Sequence, residues 1–149
     1  MSSPIILEAT ESDLPAVVEL LSKLSSSLEK SQELDQQQLI ANCLSIILHP
    51  QSYILLAKLE GETVGMIDFS TRRTALHSGP SALIDEFIVM EEHRGKGVGS
   101  SLMTAVIDKC RQIGCSEIEV STETSNEEAR AFYVARGFSG DAILFEMDL

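Results

Sequence analysis

The sequence has little positive charge: 11 lysines and arginines stand against 23 aspartates and glutamates, for a formal net charge of −12. A protein that binds nucleic acid needs basic surface, so this balance argues against nucleic acid as a partner. Long apolar runs are lacking as well. No stretch approaches the roughly 20 residues of a membrane-spanning helix, and the first residues show no basic segment followed by an apolar core. We therefore expect no membrane partner.

Cysteine is scarce, with only Cys43, Cys110 and Cys115 in 149 residues. Their number is odd, and their spacing is neither that of metal ligands nor that of a redox pair, so no metal site is predicted. Such cysteines fit a reducing cytoplasm, where we expect the protein to be, and act most simply as small buried hydrophobes. The length suits a single domain, residues 1–149, that buries roughly 70% of its unfolded surface.

What the chain does have is a glycine-rich segment between two apolar runs. It consists of Arg94, Gly95, Lys96, Gly97, Val98, Gly99 and Ser100. Residues 83–89 before it are rich in β-forming residues, and apolar residues recur after it at helical spacing. A strand that turns through glycines into a helix gathers backbone N–H groups at the positive end of the helix dipole, which favours phosphate. Glycine is required because a side chain would keep the phosphate away from the backbone.

Two common phosphate-binding patterns do not fit this segment. In a P-loop the Gly-Lys pair is followed by serine or threonine, whereas Lys96 is followed by Gly97. A dinucleotide-binding fingerprint has glycine or alanine three positions after its second glycine, and Leu102 stands there. Both patterns are therefore poor explanations of the turn.

The spacing Arg94-x-x-Gly97-x-Gly99 resembles the motif Q/R-x-x-G-x-G/A of the GNAT superfamily of N-acetyltransferases. Residues 126–138 resemble that family's second motif, N-x-x-A-x-x-F-Y-x-x-x-G-F. The two motifs lie in the order and separation that the family uses. The resemblance extends over nearly the whole chain in element order, but its specific motifs lie mainly within residues 83–138.

The resemblance implies an α/β fold (α+β by some schemes), with a mixed, mostly antiparallel sheet flanked by helices in the order β-α-α-β-β-β-α-β-α-β. Hydrophobic periodicity and turn signals predict the same elements. The expected strands cover residues 5–8, 53–59, 63–69, 83–89, 117–122 and 142–147, and the expected helices cover residues 14–28, 34–48, 98–113 and 126–136.

For chemistry, the resemblance implies that acetyl-CoA donates an acetyl group directly to a primary amine in a ternary complex, without an acyl-enzyme. The family's pyrophosphate site would correspond to Arg94 and the backbone amides of residues 95–100. The pantetheine arm would lie along Phe87, Ile88 and Val89. Asn126 would contact the cofactor or a loop, or serve as a plain helix N-cap. Arg130 could reach the 3′-phosphate, although a solvated helix arginine is the simpler interpretation.

Direct transfer needs a group that accepts the amine's proton and a group that stabilises the leaving thiolate. Tyr133 occupies the motif position of the family's tyrosine, and a phenol of pKa about 10 can donate a hydrogen bond to the thiolate. Asp85 and Glu86 interrupt an apolar strand, which is unfavourable unless they are paired or functional. Strand alternation places them on opposite faces unless a bulge resets the faces, and Glu86 is the preferred base. Glu119 or a water relay are the alternatives.

The sequence leaves more than one class of function open. The leading hypothesis is an N-acetyltransferase, an acyltransferase that transfers groups other than aminoacyl groups, acting on a small molecule or peptide. A non-catalytic acyl-CoA-binding or sensing domain is the alternative, and a different nucleotide-binding domain is a weaker one. In the family the acceptor is shaped by loops that correspond here to residues 25–34 and 72–81, which carry no readable signature. A homodimer is possible.

Overall fold

The computed structural model of the protein describes residues 2–28 and 34–149. The strands are β1 (Ile5–Glu8), β2 (Ser52–Leu59), β3 (Glu62–Arg72), β4 (Ser81–Val89) and β5 (Glu117–Val120). The helices are α1 (Leu14–Ser27), α2 (Gln36–Leu48), α3 (Val98–Ile113) and α4 (Glu127–Ala135). The sheet has the order β1-β2-β3-β4-β5, with antiparallel pairing from β1 through β4. The predicted fold class is confirmed.

Helices pack on the two faces of the sheet. On one face, α1 and α2 contribute Val17, Leu20 and Cys43 to a core cluster that includes Met66 of β3. The neighbouring residue Gly65 faces the other way, toward α3. Successive residues of a strand point to opposite faces, so α3 lies across the sheet from α1 and α2.

Gly65 allows α3 to approach β3 closely. A Cβ at this position would lie 3.0 Å from the carbonyl oxygen of Ile88, 3.2 Å from a methyl of Leu102 and 3.4 Å from one of Val98. Val98 is the first residue of α3, and Leu102 lies one turn further along the same face. The absence of a side chain at Gly65 therefore sets how near the start of α3 lies to the sheet.

One predicted element is wrong. Residues 142–147 form neither strand nor helix in the described structure, and the sheet does not include them. Their large apolar side chains are exposed, with Phe145 89% and Met147 83% accessible. The sequence there has strong β-propensity, but propensity cannot supply the partner strand that a β-ladder requires. The predicted strand 117–122 also ends earlier, at Val120.

The contacts of the chain divide it into two compact units, Met1–Glu119 and Val120–Leu149. The glycine-rich segment and β4 belong to the first unit, and α4 belongs to the second. The expected single-domain organisation stays a prediction. Over residues 2–28 and 34–149, no helix combines the length and apolar character needed to cross a bilayer.

Candidate active site

The glycine-rich segment forms a turn between β4 and α3. A short 3₁₀ helix, Glu91–His93, follows β4, and the backbone then has φ of 74° at Gly95 and 84° at Gly97. Gly97 is the N-cap of α3, which begins at Val98. In these left-handed conformations an L side chain is strained, which explains why glycine occupies both positions.

The turn leaves room for an anion in front of the helix. A Cβ built on Gly95 or Gly97 would meet nothing within 4 Å, and both residues are exposed. The amides of Val98 and Gly99 are at the first positions of α3. They have no hydrogen-bond acceptor within the helix, because no helical carbonyl lies four residues before them. Open space, such amides and the positive end of a 16-residue helix together fit a phosphate group.

Arg94 supports this turn through its side chain. Its Nε donates a hydrogen bond of 3.0 Å to the carbonyl oxygen of Val89, the last residue of β4. Its backbone N–H donates to the carbonyl of Glu91 at 3.2 Å. The motif arginine therefore connects the end of the strand to the turn.

Residues 87–89 lie on a part of β4 that β5 does not reach. The amide of Ser116 donates to the carbonyl of Pro80 at 2.8 Å, so β5 starts beside the first residues of β4. Four residues of strand span about 13 Å, whereas residues 80 and 87 are about 23 Å apart along an extended chain. The two strands therefore lie side by side only along the first part of β4.

The pairing of β3 with β4 is interrupted in the middle of β4. Ile67 faces Phe87, and Phe69 faces Ile84, so the register shifts between these two pairs. One residue of β3, Asp68, then lies opposite two residues of β4. This is the arrangement of a β-bulge, which re-aims side chains at the point where it occurs.

The bulge brings three carboxyl groups together. Asp68 lies opposite Asp85 and Glu86, and one oxygen of each side chain lies within 4.8 Å of the others. The backbone N–H of Glu86 donates a hydrogen bond of 2.7 Å to Oδ1 of Asp68. Strand alternation alone would separate Asp85 from Glu86, and the structure contains the bulge that the sequence analysis named as the exception.

The three groups differ in exposure and in charge. Asp68 is buried, at 3% exposure, whereas Asp85 is exposed and Glu86 half-buried. Burial raises the pKa of Asp68 to about 9, and the hydrogen bond and negative charge of Glu86 act in the same direction. Burial, together with the charge of Glu86, also raises the pKa of Asp85. Like charges this close cannot all ionise at neutral pH, so the cluster retains a proton.

Sequence reasoning missed Asp68. The signal was nonetheless present, because Asp68 interrupts the apolar run of β3 in the same way that Asp85 and Glu86 interrupt β4. An isolated acid in a buried strand is unfavourable unless it is paired or protonated. What the sequence lacked was the register that sets the three residues opposite one another.

Glu119, the alternative base, is engaged elsewhere. It accepts from Arg72 at 3.3 Å in an ion pair, and from the hydroxyl of Ser81 at 3.4 Å. These contacts place Glu119 beside the start of β4, five residues before Glu86. Glu119 is thus occupied by these two partners, and the identity of the base stays a prediction.

The second unit contains the other predicted residues. Asn126 is the N-cap of α4, and its side chain accepts from the amide of Ala129 at 3.0 Å. Arg130 donates to the carbonyl of Thr124 at 3.2 Å. Asn126 is therefore an N-cap and Arg130 has a partner in the chain, while a contact of either residue with the cofactor stays a prediction.

Tyr133 lies on α4 and contacts two phenylalanine rings. Its ring makes edge contacts with Phe132 and Phe138, at centroid distances of 5.6 and 5.7 Å. The ring is partly buried, and burial raises the pKa of the phenol. A phenol with a raised pKa stays protonated at neutral pH and can donate a hydrogen bond.

Part of the loop at residues 72–81 lines a cavity of about 480 Å³, together with Ile113 and Gly114 at the end of α3. The glycine turn is at the opposite end of this helix, about 24 Å away by helix rise. The cavity is therefore separate from the turn. In the other predicted acceptor loop, residues 29–33 lie outside the described residues.

Comparisons with known proteins agree with these features. Residues 14–138 match the acetyltransferase (GNAT) family. The chain is 30% identical over 130 residues to the aminoalkylphosphonate N-acetyltransferase of Salmonella typhimurium, covering 87% of this chain and 81% of that protein. It is 27% identical over 140 residues to an aminoglycoside N(6')-acetyltransferase type 1 of Stenotrophomonas maltophilia, with coverage of 92% and 87%.

The fold has a solved counterpart. AAC(6')-Iy in complex with the bisubstrate analogue CoA-S-monomethyl-acetylneamine superposes with a TM-score of 0.86. The superposition covers 99% of both chains at 20% sequence identity. At that level of identity, the likeness shows a shared fold.

Proposed function

The chain belongs to the acetyltransferase (GNAT) family, and we propose that it transfers an acetyl group from acetyl-CoA directly to a primary amine of a small molecule in a ternary complex. Acetyl-CoA is the family's acetyl donor. The observation that carries the proposal is the placement of an open phosphate-type turn at the end of β4 and an acidic cluster three residues before the end of that strand.

The turn supplies a site for the pyrophosphate of acetyl-CoA. The backbone amides of residues 95–100 would hold its oxygens, with Arg94 bracing the turn and Lys96 adding positive charge. The pantetheine arm would lie along Phe87, Ile88 and Val89, on the part of β4 that β5 does not reach. When bound, acetyl-CoA supplies a thioester whose carbonyl carbon is open to attack by an amine.

The acidic cluster supplies the proton acceptor. An alkylamine of pKa near 10.4 is almost fully protonated at pH 7, and presenting its free base costs roughly 4 to 5 kcal/mol. We assign Glu86 as the base, directly or through a water molecule, because it faces the other carboxyl groups and is half-buried. Asp85, which is more exposed, is the second candidate. The ammonium N–H bond breaks, an O–H bond forms on the carboxylate, and the neutral amine can attack.

Tyr133 is proposed to stabilise the leaving thiolate of coenzyme A. The carbon–sulfur bond breaks as the amide forms, and negative charge develops on sulfur. Full proton transfer from a phenol of pKa about 10 to a thiolate of pKa about 8.5 is uphill by about 2 kcal/mol. A hydrogen bond to the developing charge is therefore the assigned role.

Charge favours a cationic acceptor. The chain carries a net charge of −12, and two further carboxyl groups, those of Asp68 and Asp85, lie beside the assigned base. Negative potential of this kind steers cations toward a site. Since the similar proteins are named for aminoglycosides and aminoalkylphosphonates, the first acceptors to test are aminoglycosides and polyamines, followed by aminoalkylphosphonates.

Two measurements test the proposal. Calorimetric titration of acetyl-CoA, with NAD and ATP as controls, should show selective micromolar binding; no binding by folded protein would overturn it. Release of the coenzyme A thiol in the presence of each amine should then show turnover. Binding without turnover over the whole amine panel would favour a non-catalytic acyl-CoA-binding domain. Cytoplasmic location and a homodimer stay predictions.

A further inference from the structure

The bulge between β3 and β4 gives Asp68 an unusual relation to Glu86. Where the ladder is interrupted, the amide of Glu86 is bound by the side chain of Asp68 at 2.7 Å. A buried amide needs an acceptor, and the carboxyl group supplies one at the position where the ladder does not. Oδ1 of Asp68 is therefore committed to the backbone of β4, which leaves Oδ2 to face the side chains of the cluster.

The described neighbours of Asp68 are apolar, thiol or acidic groups. On β2 the residue opposite Asp68 is the apolar Ile54, and α1 contributes aliphatic residues to the adjoining core. From α2 comes Cys43, whose thiol has its pKa raised to about 11 by burial and by the charges of Glu86 and Asp68, and so stays neutral. The remaining titratable neighbours are Asp85 and Glu86. In the described part of the chain, no ion pair joins this cluster to a basic side chain.

We propose that Asp68 is a positioning residue for Glu86: held in place by the backbone N–H of Glu86, its carboxylic acid donates a hydrogen bond to the Glu86 carboxylate and orients that carboxylate as the base. This proposal rests on the proposed function, in which Glu86 is the base. A hydrogen bond donated to the charged form of a carboxylate stabilises that form. A second ionised carboxylate at the same place would instead repel it.

The proton balance in the reaction leaves Asp68 unchanged. The substrate ammonium gives one proton to Glu86, so that an N–H bond breaks and an O–H bond forms on Glu86. Asp68 neither gains nor loses a proton in this step. After acetyl transfer, Glu86 releases its proton to solvent and the original hydrogen bond from Asp68 is restored.

A direct measurement needs neither substrate nor turnover. Carbon-13 NMR of protein labelled at the aspartate carboxyl carbon would follow each aspartate between pH 4 and pH 10. We expect one signal to titrate near pH 9, to disappear in Asp68→Asn, and to persist in the matched control Asp108→Asn, which alters an exposed residue of α3. If every aspartate titrates below pH 7, or if the high titration survives in Asp68→Asn, the proposal is overturned.

A kinetic measurement then separates a tuning role from a purely structural one. In Asp68→Asn the introduced amide side chain still offers an oxygen to the amide of Glu86 and an N–H to its carboxylate, but it cannot titrate. With one acceptor amine used throughout, the pH profile of kcat/KM should contain an ionisation near pH 9 that Asp68→Asn lacks. The same pH profile in both proteins would mean that Asp68 only holds the backbone of β4 through the Glu86 amide, and it would contradict the proposal. If the unaltered enzyme acetylates nothing, the proposed function fails, whereas the NMR titration still decides the protonation of Asp68.

Discussion

Arg94 binds the end of β4 rather than extending freely into solvent: its Nε lies 3.0 Å from the carbonyl oxygen of Val89. The family motif accepts glutamine at this position as well as arginine. Glutamine lacks the charge but keeps a side-chain N–H donor. The shared property of the two residues is therefore the ability to hold the strand end.

This relation predicts the effect of substitutions at Arg94. Arg94→Gln should keep most of the affinity for acetyl-CoA, whereas Arg94→Leu should weaken it about fivefold or more, because one hydrogen bond contributes about 1 kcal/mol. Calorimetry at constant ionic strength measures both. If Arg94→Gln loses as much affinity as Arg94→Leu, binding of acetyl-CoA depends on the positive charge of Arg94 and not on its hydrogen bond to Val89.

Gly97→Glu should abolish binding of acetyl-CoA. The substitution places a side chain and a negative charge where phosphate oxygens would lie, and it also strains a residue with φ of 84°. Gly61→Glu is a matched control, since Gly61 has φ of 82° and equally open surroundings in the turn between β2 and β3. Equal loss of affinity in both variants would indicate a folding defect, and unchanged affinity in Gly97→Glu would refute the phosphate site.

Tyr133→Phe should leave binding of acetyl-CoA intact and lower kcat about tenfold or more, on the order of 1.4 kcal/mol. The ring contacts with Phe132 and Phe138 do not involve the hydroxyl, so the helix should remain folded. Tyr53→Phe, in β2, is the control for loss of a hydroxyl elsewhere. Turnover equal to that of the unaltered enzyme would remove Tyr133 from the mechanism.

Glu86→Gln should reduce the gain in rate as pH rises, because the variant cannot accept the amine's proton. Asp85→Asn, one residue away on the same bulge, should keep that gain if Glu86 is the base. The measurement is kcat/KM against pH with one amine. The opposite result, with the gain lost only in Asp85→Asn, would transfer the role to Asp85.

Stability should depend on pH through Asp68. The folded pKa of Asp68, about 9, lies above the value of 3.8 for a free aspartate, so between these values the folded state binds more protons than the unfolded state. The contribution of this group is fully present below pH 3.8 and is lost as pH rises to about 9, at up to roughly 1.4 kcal/mol per pH unit. Asparagine does not titrate, so Asp68→Asn removes this pH-dependent loss of stability. Denaturant unfolding between pH 5 and pH 9 should therefore show the variant gaining stability relative to the unaltered protein, and a constant difference would contradict the raised pKa.

Periodicity and turn chemistry are sufficient to predict most of the fold. Helix α3 runs from Val98 to Ile113 as predicted, because its apolar residues recur at helical spacing and left-handed glycines flank it at Gly97 and Gly114. These are local signals that need no knowledge of distant contacts. The same holds for the glycine turn, whose residue spacing alone indicates a site for phosphate.

The remaining features depend on pairing between distant segments. The partnership of Asp68 with Glu86 exists only because β3 and β4 pair with a one-residue shift, which no local pattern encodes. The wrong strand at residues 142–147 has the same origin, since its sequence has the propensity but the described structure gives it no partner. Local patterns thus predict the helices, the strands and the motif positions. The register between β3 and β4 determines that the three carboxyl groups of the acidic cluster lie together.

Gly65 gives a way to adjust the enzyme from behind its binding surface. A Cβ at Gly65 would lie 3.0 Å from the carbonyl oxygen of Ile88 and close to Leu102 and Val98, so Gly65→Ala would shift these neighbours by a few tenths of an ångström while every side chain of the glycine turn stays the same. In protein engineering, donor affinity and product release could be changed through this buried contact while every surface residue stays as it is. Directed evolution of such an enzyme would then include β3 in its libraries, alongside the turn itself.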